Sequence, residues 1–134
     1  MKIAITGGAG FIGSHLARAY LDAGHDVLII DNLVHGNQLA IDPRARLYAI
    51  DIRDSKLRTI LQQERPDVVS HHAVHYPESI AGEKSLADAD VHIRGLLNIL
   101  EGCVNAGVEK VIFASNGNSL YGHVDAEQLP VTEA

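Results

Sequence analysis

Four glycines fall within eight residues in Thr6-Gly7-Gly8-Ala9-Gly10-Phe11-Ile12-Gly13, directly after the apolar run Ile3 to Ile5. Gly8, Gly10 and Gly13 fit G-x-G-x-x-G, and Gly7, Gly10 and Gly13 fit G-x-x-G-x-x-G. The chemistry open to such a loop is anion binding. A tight turn there needs a residue free to take positive φ. Without a Cβ in the way, a pyrophosphate can approach the backbone amides. A helix N-terminus adds unpaired N–H groups and the positive end of the helix dipole. The motif carries this meaning where it follows a strand and opens a helix, as it does here.

Asp31 closes the next apolar run, roughly 20 residues beyond the glycines. A carboxylate at that distance suits the ribose hydroxyls of an adenosine and repels a 2′-phosphate. The following Asn32-Leu33-Val34-His35 offers no strong phosphate partner. The cofactor expected is therefore NAD, not NADP. Asp51-Ile52 follows the third apolar run. Asp51 could accept from an adenine amino group and Ile52 could cover the ring; taken alone, Asp51 would equally be a plain loop acid.

These residues must be held by alternating elements. Short apolar runs recur at Ile3 to Ile5, Val27 to Ile30, Leu47 to Ile50, Val68-Val69 and Val111 to Ala114. They are apolar throughout, as strands covered on both faces of a parallel sheet are. Helical spacing lies between them. Ile12, Leu16, Ala19 and Ala23 share one face before Gly24. Asp54 reads as an N-cap ahead of Leu57, Ile60 and Leu61, with Pro66 closing. Ser85 to Asp88 fits a loose capping box. Leu86, Ala89, Ile93, Leu96, Leu100 and Val104 then run to Gly107. Residues 31–46 read as loop with a short helical turn near Leu39 to Ile41. Strand-helix alternation builds right-handed βαβ units. The expectation is an α/β Rossmann-type doubly wound parallel sheet of five strands in the order 3-2-1-4-5, in one domain over residues 1–134. Ligands then bind at the carboxyl ends of the strands, where Gly7, Asp31, Asp51, His72 and Ser115 begin the loops.

Composition fits this reading: 134 residues, 46% hydrophobic, 21% charged and a net charge of −6. No basic run exists to bind nucleic acid or an acidic membrane surface. No apolar stretch approaches the roughly 18 residues of a membrane span. Nothing reads as a signal peptide, and the single cysteine, Cys103, is expected as buried packing in a cytoplasmic protein. His71 and His72 adjoin at a strand end, so their side chains should point to opposite faces. With His75 they form no recognised metal spacing, and no metal is expected. The eight histidines read mainly as surface and loop residues, and Met1 and Phe11 as packing.

TGGAGFIG, Asp31-Asn32, Asp51-Ile52, His71-His72-Ala73 and Val111-Ile112-Phe113-Ala114-Ser115 with Leu120-Tyr121-Gly122 occur in that order. Together they resemble the N-terminal half of the extended short-chain dehydrogenases/reductases, and most of all the NAD-dependent epimerases and dehydratases of nucleotide sugars. The resemblance covers essentially the whole chain. It implies that Gly7, Gly10, Phe11, Ile12 and Gly13 line the pyrophosphate. It places Asp31 and Asn32 at the adenosine ribose, and Asp51 and Ile52 at the adenine. His72, Ala73 and Val74 would run beside the second ribose and phosphate. Ser115 would lie near the nicotinamide, in the segment that also supplies a catalytic Ser or Thr. His92 takes the place of an Asn that faces the cofactor in the family. Tyr121 matches a structural Tyr before Gly122. The resemblance also implies a nucleotide-sugar substrate for the full-length parent and a homodimer built on the long helix.

The sequence departs from that pattern in several places. Val74-His75, Leu96 and Asn116 stand where the family has Ala-Gln, Thr and a second Ser or Thr. The family's Tyr-x-x-x-Lys does not occur: Tyr20, Tyr48, Tyr76 and Tyr121 are followed four residues on by Gly24, Ile52, Ile80 and Asp125. That tyrosine is the acid/base of the reaction. The sequence therefore reads as the cofactor half of an epimerase or dehydratase, inactive by itself. A non-catalytic dinucleotide-binding module and an inactive truncated homologue remain the alternatives. In this reading the apolar edge at Val111 to Ala114 is bare and invites association.

Overall fold

The computed structural model describes residues 1–75, 85–115, 120–122 and 124–132. Its elements run β1 (Lys2–Thr6), α1 (Phe11–Asp22), β2 (Asp26–Asp31), β3 (Arg46–Ala49), α2 (Lys56–Glu64), β4 (Val68–His71), α3 (Ser85–Ala89), α4 (Leu96–Ala106) and β5 (Lys110–Phe113). All four strand pairings are parallel, in the order β3-β2-β1-β4-β5. Ile5 faces Ile29 on one side and Ser70 on the other, so β1 is central. Alternate side chains enter two cores. Ala4, Leu28, Ile30 and Val69 meet Leu57, Leu61, Ile99 and Cys103 of α2 and α4. Ile3, Ile5, Val27 and Ile29 meet Ala17 of α1 on the opposite face. Cys103 is buried as expected, and burial pushes its thiol up to about 11.

Helix α2 buries Leu57 and Leu61 as its apolar spacing suggested, whereas α1 and α4 turn different faces inward. In α1 the buried residues are Gly13, Ser14 and Ala17, while Ile12, Ala19 and Ala23 are exposed. Between α3 and α4 the backbone makes a π-helical stretch, Asp90–Gly95, which breaks the continuous 3.6-residue spacing. After it, Gly95, Asn98, Ile99, Gly102 and Cys103 face the core, and Leu86, Ile93, Leu97, Leu100 and Val104 face outward. Small residues decide this. A Cβ on Gly95 would stand 2.6 Å from Ile52 Cδ1, and one on Gly102 2.7 Å from Leu61 Cδ1. Met1 and Phe11 are exposed as well, not packed; Phe11 stands on the first turn of α1, its ring centroid 4.6 Å from that of His15.

Three expectations take a modified form. The turn near Leu39 is a 3₁₀ turn, Gln38–Ala40. Ser55, not Asp54, is the N-cap of α2, and Asp54 accepts from Lys56 N at 2.9 Å from one residue earlier, while Arg65 in a left-handed conformation ends α2 before Pro66. The Asp88 carboxylate bonds His75 at 2.6 Å and so serves a loop, not the α3 backbone. Asn116 and Tyr76 lie outside the described residues.

Candidate functional site

A cleft of about 650 Å³ opens at the carboxyl ends of the strands. That is the size range of small-molecule and cofactor sites. Gly7, Gly10, Phe11, Ile12 and Gly13 line it from β1 and α1. Gly7 is the loop's left-handed residue, at φ +71°. A Cβ there would lie 2.7 Å from Ala73 N and His72 O, so β4 crowds it. A Cβ on Gly13 would meet Gly7 O at 2.3 Å. Gly8 instead points at Ile29 and does not line the cleft. The operative spacing is therefore the 7-10-13 one.

Gly10 differs from its neighbours. Its φ is −77°, open to any residue, and an added Cβ would meet only Gly7 O at 3.2 Å. The protein's own packing barely demands glycine there. What a Cβ would fill is the cleft in front of the loop. The amides of Phe11, Ile12 and Gly13 precede the first bond into the helix, Ser14 N to Gly10 O at 3.0 Å, and have no helical partner. Backbone donors, helix dipole and missing Cβ thus converge on one spot.

Asp31, at the end of β2, is buried at 8% exposure. Its Oδ2 accepts from Ala9 N at 2.9 Å and its Oδ1 from Leu33 N at 2.8 Å. It therefore ties the glycine loop to the β2 loop. A carboxylate offers about four acceptor positions, so roughly two remain toward the cleft. Gly36 permits this closeness, since a Cβ there would stand 2.9 Å from Asp31 Oδ1.

Asp51 is differently occupied. Its Oδ1 accepts from Arg53 N at 2.9 Å and Arg53 Nε at 2.8 Å. Its Oδ2 accepts from Arg53 Nη2 at 2.8 Å and Asn32 Nδ2 at 3.0 Å. Four donors use its acceptor positions. The Arg53 guanidinium holds the Asp51 carboxyl well below the usual carboxylate range. Arg53 also reaches Asp90 at 2.9 Å, linking the β3 loop to the π-helical stretch. Beneath them Asn98 donates to Ile52 O at 2.7 Å and Asp54 O at 3.0 Å. This wall is fixed before any ligand arrives.

On the β4 side, His71 and His72 point to opposite faces. His71 Nδ1 bonds Thr6 Oγ1 at 2.6 Å and His72 Nε2 bonds Ser70 Oγ at 2.8 Å. His71 is buried in the sheet, against the expectation of surface histidines, and burial lowers it to about 4. Burial lowers His72 as well, and its Nδ1 has no hydrogen-bond partner among the described residues. His72, Ala73 and Val74 line the cleft, and so does Ser115 beyond β5. His92 does not. It is exposed, its Nε2 lies 3.4 Å from the His75 carbonyl oxygen, and its neighbour Val91 faces the cleft.

Arg53 also lines the cleft, with no role expected from the sequence, and so does His75, which the sequence offered only as a doubtful metal ligand and as a departure from the family pattern. The Asp51-Ile52-Arg53-Asp54 turn was a signal for Arg53: acid and guanidinium two apart can close on each other. Nothing local pairs His75 with Asp88. Among the described residues no three His, Cys, Asp or Glu side chains are placed to hold a metal ion, and no helix is long and apolar enough to cross a membrane.

Comparison with known proteins puts this geometry in context. A model of the NAD dependent epimerase/dehydratase family matches residues 3–134. The UDP-glucose 4-epimerase of Lacticaseibacillus casei is 40% identical over 136 residues, 99% of this chain and 40% of its own length. The Thermus thermophilus UDP-glucose 4-epimerase, crystallised with NAD, superposes with a TM-score of 0.87 at 37% identity. That match covers 94% of this chain and 41% of the other. Bordetella bronchiseptica WbmG, crystallised with NAD and UDP, matches at 30% identity and a TM-score of 0.74 over 83% of this chain and 36% of its own. The chain spans about 40% of the length of such relatives.

Proposed function

The chain belongs to the NAD dependent epimerase/dehydratase family, and we propose that its cleft holds NAD as the cofactor part of a UDP-glucose 4-epimerase-like enzyme acting on a nucleotide sugar. One observation carries the reading: Gly10, whose missing side chain clears the cleft in front of the α1 amides. The pyrophosphate lies there, against Gly7, Gly10, Phe11, Ile12 and Gly13. Asp31 accepts from the adenosine ribose hydroxyls with its remaining lone pairs, beside Asn32. Ile52 and Asp51 bound the adenine, with Asp51 acting mainly as a fixed wall. His72, Ala73 and Val74 run along the second ribose, and Ser115 stands nearest the nicotinamide. When bound, NAD supplies the hydride acceptor for a sugar hydroxyl. The residues of this chain orient it and keep its adenosine end immobile.

Calorimetric titration with NAD and NADP tests the reading. NAD binds, and NADP binds about tenfold or more weakly, because Asp31 faces the extra phosphate. No heat of NAD binding at ~1 mM, a concentration that detects even weak sites, overturns it.

A further inference from the structure

We infer that the His75–Asp88 pair is a further binding element of the cleft, in which His75 Nε2 hydrogen-bonds a ribose hydroxyl in the second nucleotide of a dinucleotide. The inference rests on the proposed cofactor reading and extends it to a residue pair outside the motifs that suggested it. His75 lines the cleft, and its Nδ1 lies 2.6 Å from Asp88 Oδ1. A carboxylate only accepts, so Nδ1 carries the proton. Nε2 is left for a ligand, an acceptor in the neutral ring and a donor in the imidazolium. A ribose hydroxyl, which both donates and accepts, matches it in either form.

The position selects which hydroxyl. Strand order places Asp51 and Asp31 at the β3 and β2 ends, the glycine loop at β1, and His75 past β4. A ligand whose adenosine lies by Asp31 and whose phosphates lie at the glycine loop brings its second ribose to the β4 end. Of the other polar groups that line the cleft, Ser115 stands beyond β5, while His72 and Arg53 are committed. His72 Nε2 bonds Ser70 and its Nδ1 is enclosed. Arg53 is held by Asp51 and Asp90. The His75 backbone is steadied in turn, since His92 Nε2 lies 3.4 Å from its carbonyl oxygen. Asp88 thus acts as a positioning residue and His75 as the binding residue.

Two readouts on the full chain test this. By calorimetry, His75→Phe keeps a ring but loses both nitrogens. It weakens NAD binding about three- to tenfold, the worth of one neutral hydrogen bond, and leaves AMP binding within about twofold, because AMP does not reach β4. The second readout needs no variant to fold. In imidazole ¹⁵N spectra of the wild type, His75 shows a protonated Nδ1, and its Nε2 resonance moves with NAD but not with AMP. Unchanged NAD affinity in the variant, or an Nε2 resonance that ignores NAD, overturns the inference while the cofactor reading stands. A wild type that binds neither NAD nor AMP overturns the cofactor reading, and this inference with it.

Discussion

On the β2–β3 side of the cleft the carboxylates are already held: Asp31 by the amides of Ala9 and Leu33, Asp51 by Arg53 and Asn32. On the β4–β5 side the same sheet ends in side chains that contacts among the described residues complete less fully. His72 Nδ1 has no partner among the described residues, Ser115 is exposed, and Phe113 is 55% exposed. The two sides share one backbone plan and differ in what completes them. The β2–β3 side is finished by contacts within the chain, so it can hold a nucleotide in a preset geometry.

The largest effect should come from the loop between the two sides. Gly7→Ala adds a Cβ at positive φ against the β4 backbone. Left-handed strain of ~1–2 kcal/mol and overpacking of ~1–3 kcal/mol together predict a loss on the order of 3 kcal/mol in urea unfolding. Gly10→Ala should stay within ~1 kcal/mol of wild type yet bind NAD at least tenfold more weakly, because its Cβ enters the cleft. Equal stability losses in both variants would erase the distinction between a glycine needed for packing and one needed for access.

Next in size is an acid effect confined to the β4 side. The folded His71 titrates near 4, below the ordinary imidazole value of 6.5. The unfolded chain therefore takes up the proton first. Stability from this group is complete above about pH 6.5 and falls as pH drops toward 4, by on the order of 2–3 kcal/mol. His72, also lowered, adds in the same direction. Unfolding free energies across that window should slope steeply in wild type and less in His71→Gln. The same slope in both would place the acid sensitivity elsewhere.

Arg53→Met tests the β3 wall with a smaller effect. It removes the pairs to Asp51 and Asp90, both partly exposed to solvent. About 1 kcal/mol should be lost, with the gap from wild type narrowing at high salt. A loss that salt does not change would mean that the Arg53 stem, and not its charge, holds the wall.

Much of this molecule was legible in its residues. The five apolar runs marked the strands, although only β1, β2 and β4 are buried along their length and the edge strands β3 and β5 are part-exposed; the order followed from the doubly wound pattern. The glycine loop and Asp31 were legible because few other roles need that spacing. The buried face of α2 was legible in Leu57 and Leu61, but those of α1 and α4 were not. Apolar spacing equates hydrophobic with inward, whereas here Gly13, Ala17, Gly95 and Gly102 are inward because they are small. Polar residues that face inward were missed for the same reason. Asn98, to which the sequence assigned no role, pins the β3 loop, and His71, one of the histidines expected mainly at the surface or in loops, closes on Thr6. Arg53 and His75 depend on partners brought by other elements, Asp90 and Asp88, which no local pattern joins.

The central claim is that NAD occupies this cleft with its pyrophosphate at the glycine loop. Amide chemical-shift mapping of the ¹⁵N-labelled chain during NAD titration tests it most directly. The account predicts the largest shifts at Gly10 to Gly13, with further shifts at Asp31, Asn32 and Ala73. Shifts that leave the glycine loop untouched while NAD binds elsewhere would contradict it.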